Sequence, residues 1–405
     1  MPMRVLIVDA THGGQVLSRR YIGAGDEVTL ADVYKIATPE LRQEMESIGV
    51  RFVVGAPEGD FDLVTMPCHC PDVFLEKCTY KDRIWFSDSV NRFMDDPRKR
   101  IEITGVKGKT STCYILAHIL DSCGMTVHLA TSRGAGPFVG GEHRIKEWRS
   151  IAPPYLLDQE PGDYDVMINE VSLGGSGKAY IACITNLLED YGIAKNTRRA
   201  RDAKKAVLCD SINIIQPDEV GIWEAYGKPL TPNPCKVTAV GEPEFGKSLR
   251  VCVDYDGPHE IDLDPGYLSL QYLQAMATAC GIAHAMGLPC YKVIPALERF
   301  KGVPGRGEIR SENGVRYIIE RNPGISHMSV DWTLTCLGRM HALDKAVLII
   351  DPVSKKVCDK LDRDLIAEVA EKHGVMLIVT PGDGTEPEVP AGMKTVIRMT
   401  KEGYQ

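Results

Sequence analysis

The feature that most constrains this chain is the stretch Ile101-Glu-Ile-Thr-Gly-Val-Lys-Gly-Lys-Thr-Ser-Thr-Cys113, together with the apolar segment after it. Residues 101–104 read as a strand, and Gly105 and Gly108 bound a turn. Ile115, Leu116, Ile119 and Leu120 then recur at helical spacing. A strand, a glycine turn and a helix N-terminus in that order make an anion site. Backbone N–H groups can approach a phosphate, the helix end adds partial positive charge, and Lys109 falls on the β/γ oxygens. The hydroxyl of Thr110 or Ser111 is placed for Mg²⁺. The pattern implies an ATP site built from Gly105, Val106, Lys107, Gly108, Lys109, Thr110 and Ser111. The usual phosphate loop has a further glycine where Ile103 stands, so this is a shorter form, Gly-x-x-Gly-Lys-Thr-Ser. A glycine turn with a solvated lysine shares the pattern, so the rest of the chain must decide.

Size leaves room for two or three domains: the chain has 405 residues. Apolar residues make up 44% and charged residues 25%, as in ordinary globular proteins. A net charge of −8 argues against nucleic-acid binding, which needs basic stripes. Val5 to Val8 is too short for a signal-peptide core and runs into Asp9, so it reads as a first strand. No apolar run approaches the ~20 residues of a membrane span, and a cytoplasmic protein is expected. Thirteen cysteines are scattered without a CxxC pair, which argues for reduced thiols. Cys68-His69-Cys70, with Cys78 nearby, reads as loop or buried thiols, with a metal site as the alternative. On an extended backbone the two cysteines share a face and His69 points the other way.

The expected architecture is α/β throughout, in three domains. Residues 1–97 form a small Rossmann-like domain with strands at 5–8, 28–30, 51–54 and 63–66 and a helix at 39–48. His12-Gly13-Gly14 follows its first strand, at the kind of position where doubly wound sheets bind ligands. The charged run 95–100 reads as a linker. Residues 98–307 carry the phosphate loop in a mostly parallel sheet. There Asp165 to Val171 is a buried strand ending at Glu170, and a carboxylate so placed needs a cation. A second strand spans 181–186. A helix over 197–208 carries Arg198, Arg199, Arg201, Lys204 and Lys205, a charge run of the kind that faces solvent. Tyr267 to Met286 is an apolar core helix, and Gly302 to Arg306 a hinge. Residues 308–405 form a second Rossmann-like domain with strands at 315–320, 346–350 and 376–380, a helix at 361–373 and a loop at 381–385.

Taken in this order, the residues resemble the Mur ligase superfamily. The short loop 105–111 is similar to that family's phosphate loop. Glu170 matches its acidic Mg²⁺ ligand, and Thr185-Asn186 with Asp190 matches its Thr-Asn-x-x-x-Asp-His element. Lys204 matches a lysine often carbamylated there, Arg306 the hinge arginine that meets ATP phosphate, and Asn322-Pro323 the third-domain signature. The order holds over about residues 97–335. Departures are Tyr191 for the family's His, Ile318-Ile-Glu-Arg-Asn-Pro323 for Asp-x-Ala-His-Asn-Pro, and Gln271-Tyr272 near the usual His-Asn.

The resemblance implies ATP-driven activation of a carboxylate as an acyl phosphate, with ATP and Mg²⁺ as cofactors. Lys109, Glu170 and Lys204 are the catalytic candidates. Gly105 to Ser111, Asn186, Arg306 and Asn322 are the nucleotide contacts, and Thr110 and Glu170 the metal ligands. Within the family, the compact, cysteine-rich form with Glu320 to Ser326 is most like the branch acting on a nickel tetrapyrrole. That branch joins a propionate to a ring carbon and needs no amino acid. Arg133, Arg144, Lys146 and Arg149 are then candidate partners for substrate carboxylates, and His12 and His69 candidates to approach the metal. Two other readings stay open, an amide-forming ligase and a non-catalytic nucleotide-binding protein.

Overall fold

The computed structural model describes residues 2–352, 361–382 and 387–401. By compactness these divide into two units, residues 1–113 with 124–233, and residues 114–123 with 234–405. The loop expected at 381–385 lies partly outside the described residues.

The first unit begins with β1 (Arg4–Val8), α1 (Gln15–Gly23), β2 (Glu27–Asp32), α2 (Pro39–Ser47), β3 (Arg51–Val54), β4 (Gly59–Met66), β5 (Cys78–Trp85) and α3 (Phe86–Phe93). The five strands pair in parallel in the order β3-β2-β1-β4-β5. Alternation along β1 explains its continuous apolar run. Val5 and Ile7 enter one core with Val16, Leu17 and Tyr21, while Leu6 and Val8 enter another with Val64, Met66 and Leu75. A parallel strand covered on both faces needs apolar residues at every position. Thr38 caps α2 by accepting from Leu41 N at 3.3 Å, with Pro39 in the first turn. The sequence reading missed β5, because this edge strand is mostly exposed and carries Lys81, Asp82 and Arg83 in place of an apolar stripe.

The rest of the first unit is built on β6 (Arg100–Thr104), which leads through the glycine loop into α4 (Lys109–Ser122), a helix counted with the second unit from residue 114 on. Then come β7 (Val127–Thr131), β8 (Gly134–Val139), β9 (Glu142–His143), β10 (Val166–Glu170) and β11 (Ile181–Ile184). β6 lies between β10 and β11, parallel to both, and the sheet extends to Ile212–Ile215 beyond β11 and to β7, β8 and β9 beyond β10. Two expectations need correction. The 95–100 run is no linker at its far end, because Arg100 opens β6 and is buried. Its guanidinium is paired with Glu102 at 3.5 Å and donates to Asp96 O and Lys178 O. The helix expected over 197–208 is shorter: Arg198–Arg199 pair as a strand with Gly192–Ile193, and the α-helix spans Ala200–Lys204.

The second unit holds a three-stranded antiparallel sheet over Lys236–Ala239, Leu249–Asp254 and Pro258–Leu263. The apolar helix follows as Leu273–Ala285 after a 3₁₀ turn, Ser269–Tyr272. A five-stranded sheet then takes Arg306–Glu312, Val315–Arg321, Ala346–Asp351, Met376–Val379 and Thr395–Thr400. Tyr272 is buried and braces the expected hinge, its hydroxyl donating to Arg306 O at 2.7 Å and accepting from Val303 N at 3.2 Å. Among the described residues no helix is long and apolar enough to cross a membrane.

Arg100 and Glu102 make the fold testable. Glu102 is 0% exposed and also accepts from Ser176 N at 2.8 Å. Arg100→Ala strands that carboxylate in the core, and urea unfolding is expected to report a loss of about 3–5 kcal/mol. A loss below ~1 kcal/mol, the value of an exposed pair, would show that the pair bears no weight.

Candidate functional site

The phosphate loop leaves β6 at Thr104 and enters the helix at Lys109. Gly105 sits at φ +141°, where a Cβ would fall 2.0 Å from Thr185 Oγ1, so only glycine fits. Thr185 and Asn186, at the end of the neighbouring β11, hold the loop from the side. Thr185 Oγ1 donates to Lys107 O at 2.6 Å and Asn186 Nδ2 to the same oxygen at 3.2 Å. Asn186 Oδ1 accepts from Lys107 N at 3.0 Å, and Asn186 O accepts from Val106 N at 3.0 Å. Asn186 therefore shapes the loop directly.

Lys109 Nζ folds back across the turn and donates to Gly105 O at 3.1 Å. Thr110, not Ser111, meets the acid: Thr110 Oγ1 donates to Glu170 Oε2 at 2.9 Å, and Ser132 N donates to the same oxygen at 3.1 Å. Glu170 ends β10 and is buried. A hydroxyl and a carboxylate give two hard oxygen ligands beside a lysine and a bare glycine turn. That donor set suits Mg²⁺ and a polyphosphate.

Lys204 departs from its expected solvated face. It is 1% exposed, and its Nζ donates to Gly105 O at 2.9 Å and Ser172 O at 3.0 Å. Burial, reinforced by the charge of Lys109, pushes its ammonium well below the usual lysine range. The Tyr191 ring lies 6.0 Å from Nζ. Asp190 Oδ1 accepts from Arg201 N at 2.9 Å in the short helix that carries Lys204. Lys109, Thr110, Glu170, Asn186 and Lys204 thus meet around one loop. Arg306 and Asn322 belong to the second unit. There Arg306 opens a strand, and Asn322 Nδ2 reaches Glu320 Oε2 at 3.4 Å.

The basic 131–149 segment is largely engaged. Lys146 pairs with Glu160 at 2.5 Å, and Arg149 pairs with Glu147 at 3.0 Å and donates to Asp158 O. Arg144 is exposed and Arg133 half-buried. Arg149 also lines a cleft with Thr131, Asn169 and Glu170, and Asn169 Nδ2 is buried there without a partner among the described residues. His12 and His69 come together, with ring centroids 5.3 Å apart. They meet Asp9, a residue the sequence reading took only as a strand end. The neighbouring cysteines are not in this cluster. Burial raises the Cys68 thiol to about 11 and the Cys70 thiol to about 12.

The fold is a multi-domain Mur ligase-like α/β architecture, with a mostly parallel sheet carrying the phosphate loop. The MurF ligase of Thermotoga maritima in complex with ADP superposes with a TM-score of 0.55 at 12% identity, covering 92% of this chain and 91% of that one. MurF from Acinetobacter baumannii gives a TM-score of 0.54 at 14% identity, over 98% and 90%. In sequence the chain is similar to the coenzyme F(430) synthetases. That of Methanosarcina acetivorans is 28% identical over 92% of this chain and 88% of its own length. That of Methanocaldococcus jannaschii is 31% identical over 50% of this chain and 49% of its own. No protein-family model matches. Together these likenesses support an ATP-dependent ligase.

Two substitutions test the loop. Lys109→Ala is expected to lower ATP turnover by about 10²–10³-fold with the fold retained, as loss of a charge-stabilising donor does. Glu170→Gln should move the Mg²⁺ titration of that turnover to higher concentration. An unchanged rate in the first variant, or an unchanged titration in the second, contradicts the assignment.

Proposed function

We propose that this chain is an ATP-dependent ligase that closes a carbocyclic ring on a nickel tetrapyrrole, forming coenzyme F-430 from its seco-acid precursor and releasing ADP and phosphate. The observation that carries the ligase reading is the convergence of Lys109, Thr110, Glu170 and Lys204 on one glycine loop. Likeness to a coenzyme F(430) synthetase across 92% of the chain supports the substrate. In this reading residues 1–97 bind substrate, 98–307 carry the nucleotide and 308–405 complete the enzyme, with Arg306 and Asn322 as nucleotide contacts.

The chemistry proceeds in two steps. A propionate oxygen attacks the γ-phosphorus of ATP, the bond to the β-phosphate oxygen breaks, and ADP leaves. A ring carbon that has lost its proton then attacks the acyl carbonyl; the carbon–carbon bond forms and phosphate departs with the oxygen. Lys109 and the amides of residues 105–111 balance charge on the transferring group, which is most of what a protein supplies to such a transfer. Thr110 and Glu170 would hold Mg²⁺, which supplies positive charge against the phosphoryl oxygens. Burial shifts Lys204 toward the neutral amine, the form that adds carbon dioxide, so a carbamate there is part of the proposal. Exclusion of water protects an acyl phosphate from hydrolysis.

The test mixes the protein with ATP, Mg²⁺ and the nickel seco-acid and follows the visible spectrum. Ring closure is expected with no added amine, together with equimolar ADP and phosphate. Stripping bicarbonate should slow the reaction, and its return should restore the rate. A strict requirement for an amino acid would replace ring closure with amide formation.

A further inference from the structure

Neighbouring residues of a strand point to opposite sides of the sheet, so Asn169 lies on the face of β10 opposite to Glu170. Asn169 stands in register with Ala130 on β7, and a side chain as small as alanine leaves space on that face. Tyr155 and Leu156, from a 3₁₀ turn at Pro153–Leu157, line the same space. That turn is fastened to the first sheet. Leu156 and Leu157 enter the core with Val5 and Leu17, and Gln15 Nε2 donates to the Tyr155 hydroxyl at 2.8 Å. Gly13 lets Pro154 approach, because a Cβ there would fall 2.6 Å from Pro154 Cβ. What remains is a cleft of about 20 Å³, also lined by Arg149, Gln159 and Glu170. One water needs ~10–15 Å³, so the cleft admits the tip of one side chain and no ring.

Three of the lining residues carry buried atoms without a hydrogen-bond partner among the described residues: Asn169 Nδ2, Arg149 Nε and Gln159 Oε1. Asn169 is 2% exposed and the Arg149 side chain 7%. Buried polar atoms are seldom left in this condition. Their other contacts fix what each presents. Gln159 Nε2 donates to Tyr155 O at 2.8 Å, so the end left over is the acceptor. Arg149 has Glu147 3.0 Å from its Nη2 to match its charge, and its Nη1 donates to Asp158 O. The cleft therefore presents two donors and one acceptor, with no unmatched cation. A carboxylate only accepts, and would set its lone pairs against Gln159 Oε1. An ammonium only donates. A primary carboxamide has an oxygen for Asn169 and Arg149, an N–H for Gln159, and no charge.

We propose that this cleft receives a side-chain carboxamide of the tetrapyrrole, with Asn169 and Arg149 donating to its oxygen and Gln159 accepting from its nitrogen. This rests on the substrate class proposed above, whose side chains are carboxylic acids; the amide is the neutral form of that group. Residue type alone made Arg149 a partner for a carboxylate, and the acceptor beside it changes the guest. Glu170 lines the same cleft and accepts from Thr110. A side chain seated here therefore sets the macrocycle beside the residues proposed to hold Mg²⁺. The three residues position the substrate and select among its forms without touching the carboxylate that reacts.

The test measures, by equilibrium dialysis with the full-length protein, the binding of two nickel seco-acids. One carries a primary carboxamide on a side chain, and in the other that group is hydrolysed to a carboxylate. The amide form is expected to bind roughly tenfold or more tightly, since the acid leaves a buried acceptor unpaired. Asn169→Leu and Gln159→Leu should each bring the amide form down to the affinity of the acid form, while ADP binding stays unchanged. Gln159→Glu, which keeps the acceptor and adds charge, should keep the preference for the amide. Gln159 is only half-buried, so its variants disturb the fold least. Equal binding of the two forms by the unaltered protein, or tighter binding of the acid, overturns the amide site but leaves the substrate reading standing. A preference that survives both leucine variants overturns the cleft as its location. Failure to bind either form overturns the substrate reading as well.

Discussion

The contact on which the site depends is the close approach of Gly105 to Thr185. Because no Cβ intervenes, the loop leaving β6 lies against the end of β11, where Thr185 and Asn186 supply three side-chain hydrogen bonds to the backbone of Lys107. The loop then holds its amides in place before any ligand arrives. Preorganised donors stabilise developing charge without reorganising during the reaction. The Gly105 carbonyl, turned the other way, accepts from both Lys109 and Lys204. One backbone position therefore sets where two amines sit.

Around this contact the fold concentrates buried ionisable groups on or just beyond three adjacent strands. Glu170 closes β10, and Lys204 reaches in from the segment after β11. Glu102 lies within β6 with Arg100 and Ser176 as partners. Each would be costly alone in a dry interior, and each is held by named donors or acceptors. A dry site also serves the proposed reaction, since an acyl phosphate survives only where water is kept from it.

The resemblance to Mur ligases has departures at Tyr191 and near Gln271 and Tyr272. Tyr191 stands where the resemblance leads one to expect a histidine, and its ring lies beside Lys204 instead of offering a metal ligand. Burial raises its phenol to about 12, so it stays protonated and neutral near pH 7. Gln271 and Tyr272, near which the resemblance leads one to expect His-Asn, have structural partners in the second unit. Gln271 Nε2 donates to Thr333 Oγ1 at 2.7 Å, and Tyr272 braces residues 303–306.

Local pattern was enough for the strands buried on both faces and for the glycine loop. In those places the residue types at consecutive positions carry the signal: an unbroken apolar run in β1, or glycine, lysine and threonine opening a helix. Hence β1, β10, the phosphate loop and the apolar helix before residue 286 were all legible. The exposed edge strand β5 was not, because its side chains match solvent instead of a core. Nor was the burial of Lys204, whose neighbours Arg201 and Lys205 are exposed, since position in the tertiary fold alone separates them. The meeting of Asp9, His12 and His69 is the clearest case. More than fifty residues separate His12 from His69, and only the parallel pairing of β1 with β4 brings the ends of those two strands together. Sequence determined where a glycine turn opens a helix with lysine and threonine, because that signal is local, whereas the order of strands in the sheet decided which distant side chains meet there.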